Sequence, residues 1–468
     1  MSTPRPEAET GPFDSAGLVR RLAALVPGYP KARFAVALSG GLDSVALLAA
    51  LHEQQHSGGR AQATFRIRAI HVDHGLQSQS VEWARFCRRL CRSLRVPLSV
   101  RRVSVPRRAG LSIEAAAREA RYAALARGLQ DDETLLTAHH LDDQLETFLL
   151  QLMRGAGVSG LAGIAAATRL GQGRMVRPLL PWRREALETW TRERGLSWVD
   201  DASNLNTRFD RNYLRHVVLP PLLARWPAAP RVVARSASHL AESRELLEVL
   251  ASADLAQVAL GGVLRLEPLQ RLSAARRRNA VRAWLARAGL PTPDSVHLQR
   301  IIEELPAARA DANPAVVWRG AIVRRFRGAL YCAAHPGAPP PVAAIEWDWH
   351  RRRTLFLGPG LGWLRLRADP RGTIERAVLP NRLQVRFRGR GEQVRMPGRS
   401  QRRTVKELLR AGGVLPWMRD RVPLLFAGTL CVAIGGLAPP SDSAKRVSSP
   451  GRYRLDWNEG PRVLAITE

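Results

Sequence analysis

A short glycine loop between an apolar run and a helical pattern restricts the fold of this chain more than any other feature. Phe34–Leu38 is apolar, as a buried strand would be, and Ser44–His52 has the spacing of a helix. Between them, glycine would let backbone N–H groups approach a polyphosphate, and the helix N-terminus would attract its negative charge. The sequence therefore predicts a nucleotide-binding loop with the contacts Ser39, Gly40, Gly41, Leu42, Asp43 and Ser44.

The carboxylate in this loop calls for a cation. Asp43 would be repelled by phosphate unless a positive ion lay between them, so we expect Asp43 to hold Mg²⁺ through the phosphate. A Walker A loop would require Gly-Lys, and no lysine of this chain follows a glycine. The loop is therefore of another type.

Further strand-like segments alternate with helix-like ones over the first part of the chain. They are Phe65–Val72, Leu98–Val103 and Thr134–Ala138. This rhythm predicts an α/β fold with a parallel sheet, in which ligands bind at the carboxyl ends of the strands. The candidate residues below all follow predicted strands or lie on predicted helices between them.

Acids and histidines are concentrated after the fourth predicted strand, in Thr137–Thr147. If a helix begins near Leu141, Asp143 and Glu146 share one face, while His139 and His140 lie on the turn before it. Such a cluster suits a metal ion or an ammonium group. Which of Asp142, Asp143 and Glu146 plays which role stays open.

Two more pairs are candidates for nucleotide contacts. His71 and His74 end the second predicted strand, where an adenine or ribose would lie. Arg118 and Arg121 are three apart on one predicted helical face and could clamp a phosphate.

The charge of the chain points to a polyanionic partner. It has 468 residues with 72 basic and 41 acidic side chains, a net charge of +31, and such an excess is most often associated with nucleic acid. The chain contains no run of about 18 apolar residues, so the sequence predicts no membrane span. Four cysteines provide no disulfide framework, so we expect a reducing, cytoplasmic location.

The composition changes along the chain and predicts three domains. Residues 1–228 would form the catalytic domain and 229–334 a mostly helical domain, with a proline-rich linker at 335–343. Residues 344–468 have the pattern of short strands with a helix at Thr404–Arg410, which predicts a small mixed α/β domain.

The loop resembles that of the N-type ATP pyrophosphatases, the PP-loop superfamily, which implies cleavage of ATP between its α- and β-phosphates and adenylation of a second substrate. Together with later motifs the chain resembles the tRNA(Ile)-lysidine synthetases. The segments that carry this resemblance are Arg154–Leu161, Arg177–Leu180, Trp198–Asn204, Phe209–Arg215, Val385–Glu392 and Val414–Leu424. At Gly389-Arg-Gly391 the family more often has paired glycines, so that turn departs from the pattern.

The resemblance implies a reaction in which ATP adenylates O2 of the wobble cytidine of tRNA(Ile) with a CAU anticodon. The ε-amine of free L-lysine then displaces AMP. It implies ATP and Mg²⁺ as cofactors, no membrane partner, and is compatible with a homodimer. It also implies that residues 229–334 bind tRNA and that residues 344–468 recognise it. The expected catalytic residues are Asp43, Asp143, Glu146, His139 and Arg118, and the expected tRNA contacts are Arg121, Asn204, Arg211, Asn212, Arg215, Arg386, Arg388, Arg402 and Arg403.

Three other functions remain as alternatives. A tRNA thiolase shares the loop but needs reactive cysteine, and Cys87 and Cys91 are four apart, which is not a Cys-x-x-Cys site. A non-catalytic tRNA-binding protein would be expected to lose the acids, yet Asp43, Asp143 and Glu146 are present. A small-molecule amidotransferase leaves the basic far domain unexplained.

Overall fold

The computed structural model describes residues 11–56, 64–73, 75, 79–104, 113–309, 312–335, 339–389, 391–396, 401–435, 437 and 451–458. The chain divides into two compact units, Met1–Leu246 and Leu247–Glu468. Of the helices in these described ranges, none combines the length and the apolar character that crossing a membrane requires.

The first unit alternates strands and helices, as the sequence predicts. Its strands are β1 (Arg33–Ala37), β2 (Arg66–Asp73), β3 (Leu98–Arg102), β4 (Glu133–Leu136), β5 (Ala167–Leu170) and β6 (Gly173–Val176). Its helices are α1 (Ser15–Leu25), α2 (Leu42–His56), α3 (Ser80–Ser93), α4 (Ile113–Gly128), α5 (Leu141–Met153), α6 (Val158–Leu161), α7 (Arg184–Glu193), α8 (Asp210–Tyr213), α9 (Leu219–Arg225) and the start of α10 (Ala229–Val258).

The six strands form one sheet in the order β3-β2-β1-β4-β6-β5. All neighbours are parallel except β5, which runs antiparallel to β6. The order of connections reverses between β1 and β4, and ligands of open parallel sheets bind in the crevice at such a point. The predicted parallel α/β class is confirmed, and the loops after β1 and β4 are placed side by side.

Buried apolar side chains on both sides hold this sheet in place. Phe34 and Val36 of β1 are 1% and 0% exposed and pack with Leu47 of α2 and Trp182 in one cluster. A smaller cluster on the other side includes Ile70 and Leu135. Burial on both sides explains why β1 reads as a continuous apolar run rather than an alternating one.

The second unit combines helices with antiparallel sheets. Its helices after α10 are α11 (Leu266–Arg271), α12 (Ala274–Arg287), α13 (Ser295–Gln299), α14 (Leu305–Ala307) and α15 (Val405–Ala411). Its strands are β7 (Ala259–Leu260), β8 (Val263–Arg265), β9 (Ala315–Trp318), β10 (Ala321–Phe326), β11 (Ala329–Ala334), β12 (Ile345–Asp348), β13 (Thr354–Phe356), β14 (Trp363–Ala368), β15 (Ile374–Glu375), β16 (Arg382–Arg386), β17 (Gln393–Val394), β18 (Arg403–Thr404), β19 (Leu424–Ala427), β20 (Leu430–Ile434) and β21 (Arg452–Asn458).

These strands form four sheets of the second unit. Their orders are β7-β8-β11-β10-β9, β12-β16-β19-β20, β13-β14-β21-β15 and β17-β18. One hydrophobic cluster contains Val263 and Tyr331, which precede the proline-rich linker, together with Val405 and Leu424, which follow it. The segments before and after the linker therefore share this core. The domain boundaries at 228, 334 and 344 stay predictions.

Candidate active site

A glycine with positive φ and a buried serine shape the loop after β1. Gly40 has φ +93°, and a Cβ there would lie 3.3 Å from Cys87 Sγ. The hydroxyl of Ser44, 4% exposed, accepts hydrogen bonds from the N–H groups of Ser39 and Gly40 at 3.2 Å each. It donates to the carbonyl of Gly41 at 2.9 Å. Ser44 therefore closes the loop on itself, while the exposed Ser39 faces solvent.

The start of α2 completes an anion site. The first N–H groups of a helix have no partner within the helix, so those of Leu42 and Asp43 can bind a phosphate. The side chain of Leu42 is 2% exposed and belongs to the core, which leaves its backbone as the group that can contact a nucleotide.

His71 contacts the strand end that leads into the loop. It is 4% exposed, its Nδ1 lies 2.8 Å from the carbonyl oxygen of Leu38, and Cys87 Sγ lies 3.5 Å from the same nitrogen. This contact gives His71 a role in positioning the loop. The predicted partner His74 lies outside the described residues.

The helix after β4 begins at Leu141, as the sequence reasoning assumed, and its start is a capping box. The N–H of Asp143 donates to His140 Nδ1 at 3.4 Å, and the N–H of His140 donates to Asp143 Oδ2 at 3.0 Å. His140 Nε2 also lies 3.7 Å from Asp43 Oδ2. The sequence placed His140 in this cluster without giving it a role, and in the structure it links the loop after β1 to the loop after β4.

Asp43 has the properties of a carboxylate that can bind a cation. Burial raises the pKa of Asp43, nearby His140 lowers it, and the like charge of Asp143 raises it again, with a net shift upward. Its Oδ1 is buried with no hydrogen-bond partner among the described residues, and the nearest base, Arg184 Nε, is 3.8 Å away. An orphaned carboxylate oxygen beside a phosphate-binding loop fits a cation.

A cation at this place would need oxygens from outside the protein. Among the described residues, no group of three or more His, Cys, Asp or Glu side chains is arranged to hold a metal ion. Asp43 would therefore share a Mg²⁺ ion with phosphate oxygens, since Mg²⁺ in such sites is bound by one or two carboxylates plus substrate phosphates.

The other two predicted acids are occupied by arginines. Glu146 is 1% exposed, and its two oxygens accept from Arg211 Nε at 2.7 Å and Arg215 Nε at 2.8 Å. Asp143, 14% exposed, lies 3.3 Å from Arg211. Burial by itself raises the pKa of Asp143. The charges of His140 and Arg211 lower this pKa by more than burial raises it, so the net pKa is below its usual range. The structure thus brings together residues that the sequence assigned separately to catalysis and to tRNA contact.

Asp142 has a different role from its neighbours. It accepts from Arg183 Nε at 2.6 Å and from the backbone N–H of Arg184 at 2.7 Å. This anchors the start of α7 and places Arg184 next to Asp43. Sequence reasoning missed Arg184 because no local pattern shows that α7 returns to the first loop.

His139 and Arg118 are the two remaining residues that the sequence assigned to catalysis. Burial lowers the pKa of His139 to about 3; Asp143 opposes this shift, while Arg177 and Arg118 add to it. The imidazole is therefore neutral at pH 7, and its Nδ1 lies 3.0 Å from Thr137 Oγ1. The guanidinium of Arg118, like that of Arg121, lies over the ring of Tyr122, at 5.3 and 5.4 Å respectively.

Of the predicted contacts Asn204 and Asn212, Asn204 is exposed in a short 3-10 helix and Asn212 is half-buried in α8. The N–H of Val199 donates to the carbonyl of Gly40 at 3.0 Å, which ties the chain before Asn204 to the first loop. Asn204 accepts from His216 through its backbone carbonyl at 2.9 Å, and Asn212 donates to the carbonyl of Asn206 at 3.0 Å.

The predicted arginines of the second unit have different surroundings. Arg386 lies 3.7 Å from the centre of the Phe426 ring, and Arg388 Nε donates to Asp420 at 2.8 Å. Arg402 is exposed and Arg403 half-buried in β18. Arg402 is thus the most accessible of the four.

Three family models match successive parts of the chain. A PP-loop domain matches residues 15–222, a TilS substrate binding domain residues 264–331, and a TilS substrate C-terminal domain residues 383–457. The first match contains every residue of the site described above.

Curated relatives are similar over nearly the whole chain. The tRNA(Ile)-lysidine synthase of Alkalilimnicola ehrlichii is 42% identical, covering 97% of this chain and 99% of that protein. That of Pseudomonas aeruginosa is 41% identical, covering 94% and 96%. A solved U34-tRNA thiolase, NcsA from Methanococcus maripaludis with its [4Fe-4S] cluster, is 14% identical with a TM-score of 0.42 over 49% of this chain and 77% of that chain. A likeness that low does not distinguish lysine transfer from sulfur transfer.

Proposed function

Because the chain belongs to the tRNA(Ile)-lysidine synthase family, we propose that it adenylates O2 of the wobble cytidine of a tRNA(Ile) with a CAU anticodon and then joins free L-lysine to that base. The chain is an ATP-dependent tRNA-modifying enzyme. The observation that carries the proposal is the meeting of the PP-loop, Asp43 and the His140–Asp143 cap at the reversal point of the sheet.

In the first step the cytidine O2 attacks the α-phosphorus of ATP, the α–β phosphoanhydride bond breaks, and pyrophosphate leaves. The loop and the start of α2 bind the phosphates, and Arg184, 3.8 Å from Asp43, adds positive charge beside them. Arg118, whose charge acts on His139, is the second arginine to which we assign a catalytic role. A Mg²⁺ ion bound by Asp43 and the phosphates would neutralise charge on the leaving pyrophosphate.

In the second step the lysine ε-amine attacks C2 of the base, and the C2–O bond breaks to release AMP. We propose that Asp143 binds the ammonium group of the incoming lysine, because its side chain is 14% exposed and can contact a substrate. The side chain of Glu146 is only 1% exposed. Glu146 is then a positioning residue, which holds Arg211 and Arg215 beside the site. Neutral His139 can exchange hydrogen bonds there without adding positive charge.

The direct test combines purified protein, ATP, Mg²⁺, labelled lysine and a tRNA(Ile) transcript with a CAU anticodon. We expect lysine to enter the wobble nucleoside with one AMP and one pyrophosphate released per lysine. Omission of ATP, replacement of lysine by ornithine, and a tRNA with a changed anticodon are the controls. Release of pyrophosphate with no lysine in the tRNA would contradict the proposal.

The state of the cysteines argues against the thiolase alternative. Burial raises the pKa of Cys87 and Cys431 to about 12 and that of Cys91 to about 11, so all three are thiols at neutral pH. Sulfur transfer needs a thiolate or a metal-bound sulfur. Replacing Cys87, Cys91, Cys332 and Cys431 together by serine or alanine should keep lysine transfer, apart from losses of packing, and a sulfur-for-oxygen mass shift in the wobble nucleoside would overturn this assignment.

Two further proposals concern the setting of the reaction. We place it in the cytoplasm, where free lysine, ATP and tRNA coexist and buried thiols stay reduced. The family assignment is compatible with a homodimer, and sedimentation velocity of the full chain with and without tRNA decides between monomer and dimer.

A further inference from the structure

One sheet of the second unit has two large aromatic side chains in water. The sheet β13-β14-β21-β15 buries Leu355 and Leu364 on one face. On the opposite face Phe356 is 48% and Trp363 is 40% exposed. They are cross-strand partners in β13 and β14, with ring centroids 4.6 Å apart and 43° between the ring planes. Adjacent exposed aromatics form a patch that favours a contact with another molecule.

The same face carries arginines next to the aromatic pair. Because side chains alternate along a strand, Arg365 and Arg367 of β14 lie on the face of Trp363, and Arg454 of β21 is the cross-strand partner of Arg367. Asp456 lies 3.6 Å from Arg367 and 3.0 Å from Arg454. Arg365, exposed and adjacent to Trp363 on this face, forms no ion pair with any residue that the structure describes.

We propose that this aromatic–arginine face, made of Phe356, Trp363, Arg365, Arg367 and Arg454, stacks an unpaired base of the tRNA substrate and contacts its neighbouring phosphates. The proposal rests on the proposed function for the identity of the RNA. It adds a binding surface outside the ATP site. Strands β13 and β14 also fall between the segments 264–331 and 383–457 that the family models match.

The chemistry of the face favours RNA over protein. Aromatic rings stack on bases whose faces are open, as in loops and single-stranded ends, whereas the faces of paired bases are already covered. Arg365 is about 7 Å along the strand from Trp363, a distance that suits the phosphate of a base stacked on the ring. A second copy of this chain would bring arginines against arginines, so its docking here would cost charge repulsion.

The pair also has a simpler role that the experiment must separate. Cross-strand aromatic pairs stabilise neighbouring strands without any ligand. A purely structural role predicts a lower melting temperature for a ring-deleting variant and an unchanged affinity for tRNA. A stacking role predicts a loss of tRNA affinity that follows the aromatic ring.

The experiment uses the full chain, a tRNA(Ile) transcript and three variants. Trp363→Leu removes the ring, Trp363→Phe keeps a ring but removes the indole fluorescence, and Val317→Ala changes an apolar residue that is 46% exposed on β9 of the same unit. Fluorescence anisotropy of labelled tRNA gives the dissociation constant. Lysine incorporation gives KM for tRNA, KM for ATP and kcat.

We expect Trp363→Leu to weaken tRNA binding about five- to a hundredfold, the range for loss of one base–aromatic stack. KM for tRNA should rise in parallel, with kcat at saturating tRNA and KM for ATP unchanged. Trp363→Phe should bind within about twofold of the native protein but lose part of the tRNA-induced fluorescence quenching. Val317→Ala should behave as the native protein does.

Two results would overturn the proposal. The first is native tRNA affinity in Trp363→Leu together with unchanged quenching in Trp363→Phe. The second is a dimer of the native protein that Trp363→Leu dissociates, which would show that the face joins two copies. If Trp363→Leu fails to fold, the quenching measured in Trp363→Phe decides. If the native protein binds tRNA but transfers no lysine, the proposed function is contradicted. The tRNA affinities of the native protein and its variants can still be compared in that case.

Discussion

The arginine–carboxylate cluster at Glu146 in the first unit and the arginine–carboxylate pair at Asp420 in the second unit have opposite surroundings. In the first unit the acid, Glu146, is 1% exposed and receives Arg211 and Arg215. In the second unit the acid, Asp420, is 64% exposed and meets Arg388. A buried carboxylate cannot be rehydrated when its partners leave, whereas an exposed one can. The burial of the acid therefore decides whether the pair organises a site or remains an exchangeable surface contact.

The titration of the surroundings differs in the same way. Around the first cluster the pKa of Asp43 is raised by burial, while that of His139 is lowered by burial to about 3. Around the second cluster burial and then the charges of Arg388 and Arg410 lower the pKa of Arg419. The first environment adjusts groups that can transfer protons. The second environment brings several arginines close together, and binding of an external polyanion would reduce the repulsion between their charges.

The largest effect is expected from Asp43→Asn in the first unit. It should reduce tRNA- and lysine-dependent pyrophosphate release about a thousandfold, since the charge that would face metal and phosphate is lost. The melting temperature should hardly change, because the raised pKa of Asp43 shows that its charge is not stabilised by the fold. Asp131→Asn, at an exposed residue before β4, is the matched control. Near-native release at saturating Mg²⁺ would remove Asp43 from the site.

Glu146→Gln should show what the buried cluster contributes to stability. The change leaves Arg211 and Arg215 with a neutral partner, so the free energy of unfolding should fall by about 3 kcal/mol, as for other broken buried pairs. Lysine transfer should fall as well, because both arginines lose their fixed positions. Urea denaturation measures the first effect and labelled lysine the second. Loss of activity at native stability would instead support direct contact of Glu146 with substrate.

The parts of the fold that depend on local sequence were predictable. The loop after β1, the start of α5 at Leu141 and the parallel sheet follow from runs of apolar residues and from the helical spacing of apolar residues within short segments. The pairing of β5 with β6 and the order of strands in the antiparallel sheets were not predicted. They depend on contacts between segments far apart in the sequence, and local patterns do not record these.

The same limit applies to the site. The sequence indicated that Asp43, Asp143 and Glu146 lie close to the nucleotide, because each follows a strand of the same sheet. It did not show that Glu146 receives arginines 65 and 69 positions away. It assigned those arginines to RNA, since a basic residue on a helix gives no local sign of its partner.

His139→Asn tests whether burial of the imidazole makes the first unit sensitive to acid. The pKa of His139 is about 3 in the folded protein and about 6.5 when unfolded, so the unfolded chain binds more protons between these values. The contribution of the neutral His139 imidazole to the free energy of unfolding is fully present above about pH 6.5 and is lost as the pH falls. Between pH 7 and pH 5 the native protein should lose about 2 kcal/mol that the variant keeps. Urea titrations at both pH values measure this, and parallel losses in both proteins would show that His139 is not the group responsible.

The smallest effect on stability is expected from Asp420→Asn, the counterpart of Glu146→Gln. An exposed ion pair contributes little, so the free energy of unfolding should change by less than about 0.5 kcal/mol. The affinity for tRNA should rise about threefold at low salt, because Arg388 and its neighbour Arg419 lose a competing carboxylate, and the gain should vanish at high salt. Filter binding at two salt concentrations, with Asp131→Asn as control, gives the comparison. A stability loss as large as that of Glu146→Gln would mean that exposure of the acid does not separate the two clusters. A fall in tRNA affinity would instead indicate that Asp420 orients Arg388 toward the RNA.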